Sequence, residues 1–165
     1  MKQIFRVLLV SAFSLLITAC GSNKSEEPSN NIYEFEKCKL VIIDNEDFFS
    51  AEEEKQMVDA LSPMCTQSDC DLVVAATNRR GDGPCNYLPN TKKNWIAVGY
   101  NSATYAYSVS ADGAKCHKLF SDARIDAILN AADTQIENGE TFDALLNMST
   151  QALMTYVQFE NKPSM

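Results

Sequence analysis

Two short apolar runs, separated by one amphipathic segment, constrain the fold of this chain more than any other feature. Lys39-Leu40-Val41-Ile42-Ile43 ends at Asp44, and Asp71-Leu72-Val73-Val74-Ala75-Ala76-Thr77 follows. Neither alternates apolar with polar residues, so each reads as a strand buried on both faces. Between them, Ser50-Ala51-Glu52-Glu53 has the form of a capping box. The serine hydroxyl can accept from the Glu53 amide while the Glu53 carboxylate reaches back. Met57, Val58, Leu61 and Met64 recur at helical spacing, and Pro63 stands near the close of the pattern. Strand, capped helix, strand predicts a right-handed βαβ unit.

Residues 78–94 are rich in turn formers (Gly81, Asp82, Gly83, Pro84, Pro89 and Asn90) and read as a loop. Trp95–Tyr100 reads as a third strand. Tyr105, Tyr107 and Val109 alternate with smaller residues in a fourth, and Asn101-Ser102-Ala103 is short enough to make the pair a hairpin. Two helices follow. Ser121 is placed to cap the first, with Asp122 in its first turn and Gly139 beyond its end. Thr141 starts the second, whose stripe runs through Phe142, Leu145, Leu146, Ser149, Leu153, Tyr156 and Val157. The predicted fold is α/β: a small Rossmann-like sandwich with a βαβ unit, a β-hairpin and two C-terminal helices. It occupies residues 33–159 as one domain.

The order of these pieces resembles the TPM domain family from about Leu40 to Leu153. The resemblance rests on the strand ending at Asp44 before Phe49-Ser50-Ala51-Glu52-Glu53, on Asp71-Leu72-Val73-Val74-Ala75, and on the strand pair around Ile96–Val98 and Tyr105–Val109. Leu119-Phe120-Ser121-Asp122 and Phe142-x-x-Leu145-Leu146 complete it. It implies a Rossmann-like sandwich and a role in the assembly, repair or modulation of membrane complexes. In some members it implies phosphatase activity or calcium binding. The chain departs from the family in two places. A Gly/Pro loop containing Cys85 stands where members usually have a helix, and Asn101-Ser102-Ala103 replaces a charged hairpin turn.

The first residues give an address. Lys2 and Arg6 precede an apolar run from Val7 to Ile17 that is short for a permanent bilayer span. Leu16-Ile17-Thr18-Ala19-Cys20 resembles the bacterial lipobox, in which small residues admit the peptidase and the cysteine thiol receives diacylglycerol. Residues 1–19 are therefore expected to be a removed signal peptide. Cys20 is then the lipidated, palmitate-bearing first residue of the mature protein, since several acyl chains give stable anchoring. Gly21, rather than Asp, after the cysteine points to the outer membrane of a bacterial envelope, with the domain facing the periplasm. Residues 20–32 have the composition of a flexible tether, and 160–165 read as a disordered tail.

Removing residues 1–19 takes away two basic residues and no acid. This leaves 12 Lys+Arg against 22 Asp+Glu, a formal charge of about −10. That sign argues against a nucleic-acid partner. Cys38, Cys65, Cys70, Cys85 and Cys116 remain beside Cys20. Five cysteines in an oxidising compartment read as two disulfides and one free thiol. No Cys-x-x-Cys occurs and His117 is the only histidine, which argues against zinc or a thioredoxin-type site. The loop containing Cys85 must return to the amino end of the sheet before Trp95, so all five cysteines are expected to gather there. The expected bridges are then Cys85–Cys116 and one from Cys38 to Cys65 or Cys70.

For chemistry, Asp44-Asn45-Glu46-Asp47 leaves the carboxyl end of a buried strand, where open α/β sheets bind ligands. Asp122 could approach it. Asp44, Asp47 and Asp122 together would offer the oxygen ligands that suit calcium or magnesium, and with them a low-activity metal-dependent phosphatase. The alternative is an acidic loop and a helix-dipole charge. No Gly-x-Ser-x-Gly elbow accompanies His117, so no catalytic set is named. Trp95, Tyr100, Tyr105 and Tyr107 could form an aromatic platform or pack as core. The expected function is that of an anchored, non-catalytic accessory module binding an envelope protein, with no firm cofactor.

Overall fold

The structure, a computed structural model, describes residues 29–160 apart from 46, 82 and 88–93. The expected signal peptide, Cys20, most of the expected tether and residues 161–165 lie outside the described residues. One mixed sheet organises the rest, in the order β1-β2-β3-β4-β5. Its strands are β1 (Ser29–Glu34), β2 (Lys39–Asp44), β3 (Cys70–Thr77), β4 (Asn94–Asn101) and β5 (Ala106–Asp112). The three central strands are parallel and both edges are antiparallel. The helices are α1 (Ala51–Cys65), α2 (Cys116–Leu119), α3 (Asp122–Asn130), α4 (Asp133–Asn138) and α5 (Thr141–Glu160). The fold is α/β, as the apolar runs predict, and β2-α1-β3 is the expected βαβ unit.

The reading of β3 as buried on both faces holds at every one of its residues. Alternate side chains serve two cores. Leu40, Ile42, Leu72, Val74, Ile96 and Val98 face α1 and α5 in the main core. Val41, Ile43, Val73, Ala75 and Ala97 face the other way, against Tyr87 and Trp95. That second face is covered by the β3–β4 crossover, whose described residues include a 3-10 turn at Pro84–Tyr87. Gly99 makes this cover possible, because a Cβ there would stand 2.8 Å from the Pro84 ring.

The capping box at Ser50 and Glu53 forms with both reciprocal bonds. At the other end of α1, the Pro63 carbonyl accepts from the Thr66 hydroxyl and the Gln67 amide. Gly139 takes the left-handed conformation at the end of α4. Other expectations need correction. The domain includes residues 29–32, expected as tether, because they pair with β2 and fill its open ladder edge. Asn31 and Tyr33 also bond Glu54 of α1. The first C-terminal helix is two, α3 and α4. Asn147 of α5 donates to the Ala131 carbonyl at the break, and Ala132 is fully buried there. Ser121 occupies the N-cap position of α3 without a side-chain cap bond. The second helix, α5, includes Glu160, which the sequence reading places in the tail.

Candidate functional site

The carboxyl end of the parallel strands is built by two local devices. The first is Asp44. Its two carboxylate oxygens accept the backbone N–H groups of Phe48 and Phe49, at 2.9 and 2.8 Å. This folds the chain back on itself and directs the two rings apart. Phe49 enters the core edge-on to Phe142, with centroids 6.1 Å apart, and Phe48 stands edge-on to Tyr100 at 6.0 Å. Asp47, in the bend, has a positive φ of 54° and is exposed. The second device is Asn101. Its amide donates to the Arg79 carbonyl at 2.7 Å, and its oxygen accepts the Ala103 N–H at 3.0 Å. One side chain thereby joins the crossover to the β4–β5 turn. Asn45 completes the rim by donating to the Tyr87 hydroxyl at 2.7 Å.

Between crossover and turn lies a shallow cleft of about 250 Å³, bordered by Gly83, Pro84, Asn101, Thr104 and Ser108. It is smaller than the usual small-molecule site of ~300–1,000 Å³. Beside it the turn ends at Tyr105, which is 82% exposed. Tyr105 also has a positive φ of 54°, a conformation uncommon outside glycine and costly for a bulky side chain. Behind it Tyr100 and Tyr107 stack with centroids 4.7 Å apart and close the main core. Burial raises the Tyr100 phenol above its usual range, and Tyr107 and Tyr105 act the same way. On the helix side of the same end, exposed Glu140 and Asp143 border a hollow over Phe48 and Phe142.

The structure does not gather the proposed oxygen ligands. Asp44 turns both oxygens to backbone N–H groups. Its loop meets the first turn of α5 through Phe49 and Phe142. Asp122 opens α3 at the other end of the molecule, where Arg124 shares a groove with Thr155 and Phe159 in the last turns of α5. A helix of 20 residues spans about 30 Å, so Asp122 cannot join Asp44 and Asp47 in one shell. Among the described residues no group of three or more His, Cys, Asp or Glu is disposed to hold a metal.

The expected Cys85–Cys116 bridge is also corrected. Cys85 lies exposed on the 3-10 turn at the carboxyl end, held there by Pro84 on Gly99 and Tyr87 on Asn45. Cys116 is buried at the amino end, its Sγ 3.6 Å from the Trp95 carbonyl oxygen. The crossover packs across the bare sheet face instead of carrying its cysteine back beneath the sheet. Of the four aromatic residues considered as a platform, Trp95 packs under the crossover, Tyr100 and Tyr107 pack on the main core, and Tyr105 alone is presented to solvent. His117 is exposed and pairs with Asp112 at 2.6 Å. Sequence reasoning missed Asn101. Its signal was an Asn at a strand end before small residues, the pattern of a side chain that closes its own turn.

Comparison with protein-family models gives no match, and comparison with curated proteins gives none either. Among solved structures the chain is similar to the NMR structure of the BA42 protein from the psychrophilic bacterium Bizionia argentinensis, at 20% sequence identity and a TM-score of 0.58. The match covers 70% of this chain and 86% of that one. At this identity the likeness shows a shared α/β fold.

Proposed function

We propose that this chain is an exported bacterial lipoprotein, held on a membrane through Cys20, whose domain binds an envelope protein and performs no chemistry of its own. The observation that carries this reading is Tyr105, a large aromatic ring held in solvent on a strained backbone at the end of the β4–β5 turn. Exposed tyrosine is a typical anchor of protein interfaces. The shallow cleft beside it and the exposed acids Asp47, Glu140 and Asp143 at the same end fit a partner that presents apolar and basic side chains. The lipobox resemblance supports the address. The TPM resemblance supports a role in assembly, repair or modulation of a membrane complex.

The test uses the lipidated full chain in envelope membranes, with a photo-crosslinking residue at position 105 or, as a control, at exposed Glu137 of α4. A discrete adduct is expected from position 105 and not from 137. It should be lost in Cys20→Ser, which should also fail to incorporate a palmitate analogue. Equal adducts from both positions, or none, would overturn the binding role. Normal lipid labelling of Cys20→Ser would overturn the anchor.

A further inference from the structure

The amino end of the sheet, remote from Tyr105, holds four cysteines. Cys38 stands one residue before β2, Cys65 closes α1, Cys70 opens β3 and Cys116 opens α2. All four are at most 1% exposed and belong to the main core. Their convergence follows from topology. Parallel β2 and β3, in the register Leu40↔Leu72, set Cys38 beside Cys70, and even-numbered positions on both strands face the helices. Helix α1 starts at the carboxyl end and returns Cys65 to this one. Strand β5 returns the chain likewise, and Lys115 is fastened by its N–H to the Asn94 side chain at 2.9 Å, which seats Cys116 behind it.

Within this layer the thiols fall into two neighbouring pairs. Cys65 ends the helix that packs on β2 and lies beside Cys38, whose thiol it raises together with burial. Cys116 rests against the Trp95 carbonyl, and Trp95 and Asn94 pair with Asp71 and Cys70 across the β3–β4 ladder, so its neighbour is Cys70. Both pairs cross between layers, from a strand to a helix. Ser68, itself buried, holds the connection between Cys65 and Cys70 in a tight turn, accepting the Cys70 N–H at 3.2 Å. That turn sends the two neighbours in sequence to different partners.

We propose that Cys38–Cys65 and Cys70–Cys116 are the two disulfides of this protein under oxidising conditions, and that Cys85 stays a thiol. The pairing rests on the geometry, and only its occurrence in the cell rests on the export reading above. Each bridge forms by two exchange steps. A cysteine thiolate attacks an external disulfide, such as oxidised glutathione, and expels one thiolate. The partner cysteine then displaces the second. Two S–H bonds and the external S–S bond break, one internal S–S bond and two external thiols form, and the external disulfide takes the two electrons. Burial bars an external disulfide from the finished fold, so the bridges close while α1 and α2 dock.

The test is peptide mapping without reduction, with thiols trapped by alkylation in denaturant and the chain cleaved before Asp69 to separate Cys65 from Cys70. One sample is the full chain from its membranes. The other is the full chain carrying Cys20→Ser, reduced, denatured and refolded in a glutathione redox pair. Both should yield Cys38 linked to Cys65 and Cys70 linked to Cys116, with Cys85 fully alkylated. The Cys85→Ser variant should keep both bridges. A bridge containing Cys85, a Cys38–Cys70 or Cys65–Cys70 link, or one zinc per chain in place of bridges would overturn the pairing. Correct pairs after refolding together with reduced thiols in the membrane sample would overturn the export reading instead.

Discussion

Asp69 shows what one side chain does at the closed end of the sheet. Its carboxylate accepts from the Tyr156 hydroxyl at 2.5 Å and from Lys115 at 2.7 Å, and Lys115 also pairs with Glu160. Burial works to raise the Asp69 carboxyl, but the bonds from Lys115 and Tyr156 outweigh it and hold the group below its usual range. A carboxyl depressed in the folded state contributes stability above its unfolded pKa of ~3.9, and that stability is lost as pH falls through the lower folded value. Lys115→Met should therefore lower the urea midpoint at pH 7, and the gap between variant and parent should narrow below about pH 4. The side chains of Asp69 and Lys115 are 41% and 39% exposed, so solvent screening keeps the ion-pair part small. Tyr156 is fully buried, so Tyr156→Phe, which leaves Asp69 one donor short, should cost about 1–2 kcal/mol. A gap that stays constant from pH 7 to pH 3 would show that Asp69 is not the titrating group.

At the scale of elements, what could be read in advance was whatever one segment determines alone. The β2 and β3 runs, the Ser50 capping box and the Gly139 end of α4 are local signals, and each survives in the fold. Strand β1 escaped because Ser29-Asn30-Asn31 has no apolar pattern, and its order comes from pairing with β2. The break between α3 and α4 falls at two alanines, the best helix formers, and is tied down by Asn147 from another helix. The candidate site was legible at one end only. Asp44 stands at the end of β2 as the sequence places it, yet its carboxylate shapes the loop, and the distance to Asp122 depends on the whole length of α5. The crossover was misplaced because its seat is a glycine on another strand. Gly99→Ala tests that seat: with a Cβ 2.8 Å from the Pro84 ring, it should cost about 1–3 kcal/mol as an overpacking change. Adding Pro84→Ala should recover part of the loss, a coupling that a double-mutant cycle in urea measures. Strict additivity of the two changes would mean that Pro84 does not rest on Gly99.

Across the whole molecule the two ends of the sheet do different work. The carboxyl end holds the strained residues Asp47 and Tyr105 and the shallow cleft. The amino end holds the Asp69 cluster and the four buried cysteines. A strained, exposed edge costs stability, and the closed end is where the fold can recover it. Closing loops of roughly 30 and 50 residues, Cys38–Cys65 and Cys70–Cys116 would each restrict the unfolded chain by about 3–4 kcal/mol in the chain-entropy picture. Together that is a large share of the ~5–15 kcal/mol that holds an ordinary domain folded. Two consequences separate this from a merely local effect. The reduced protein should show a lower urea midpoint than the oxidised one. It should also show a steeper dependence on urea, because an unfolded chain without cross-links exposes more surface. Reductant added to the folded oxidised protein should act slowly, at the rate at which the buried sulfurs become exposed by opening of the fold. Rapid reduction without unfolding would place the bridges at the surface. Equal midpoints and slopes for the two forms would leave the cysteines no part in stability, and the cost of the Tyr105 turn would then fall on the apolar core alone.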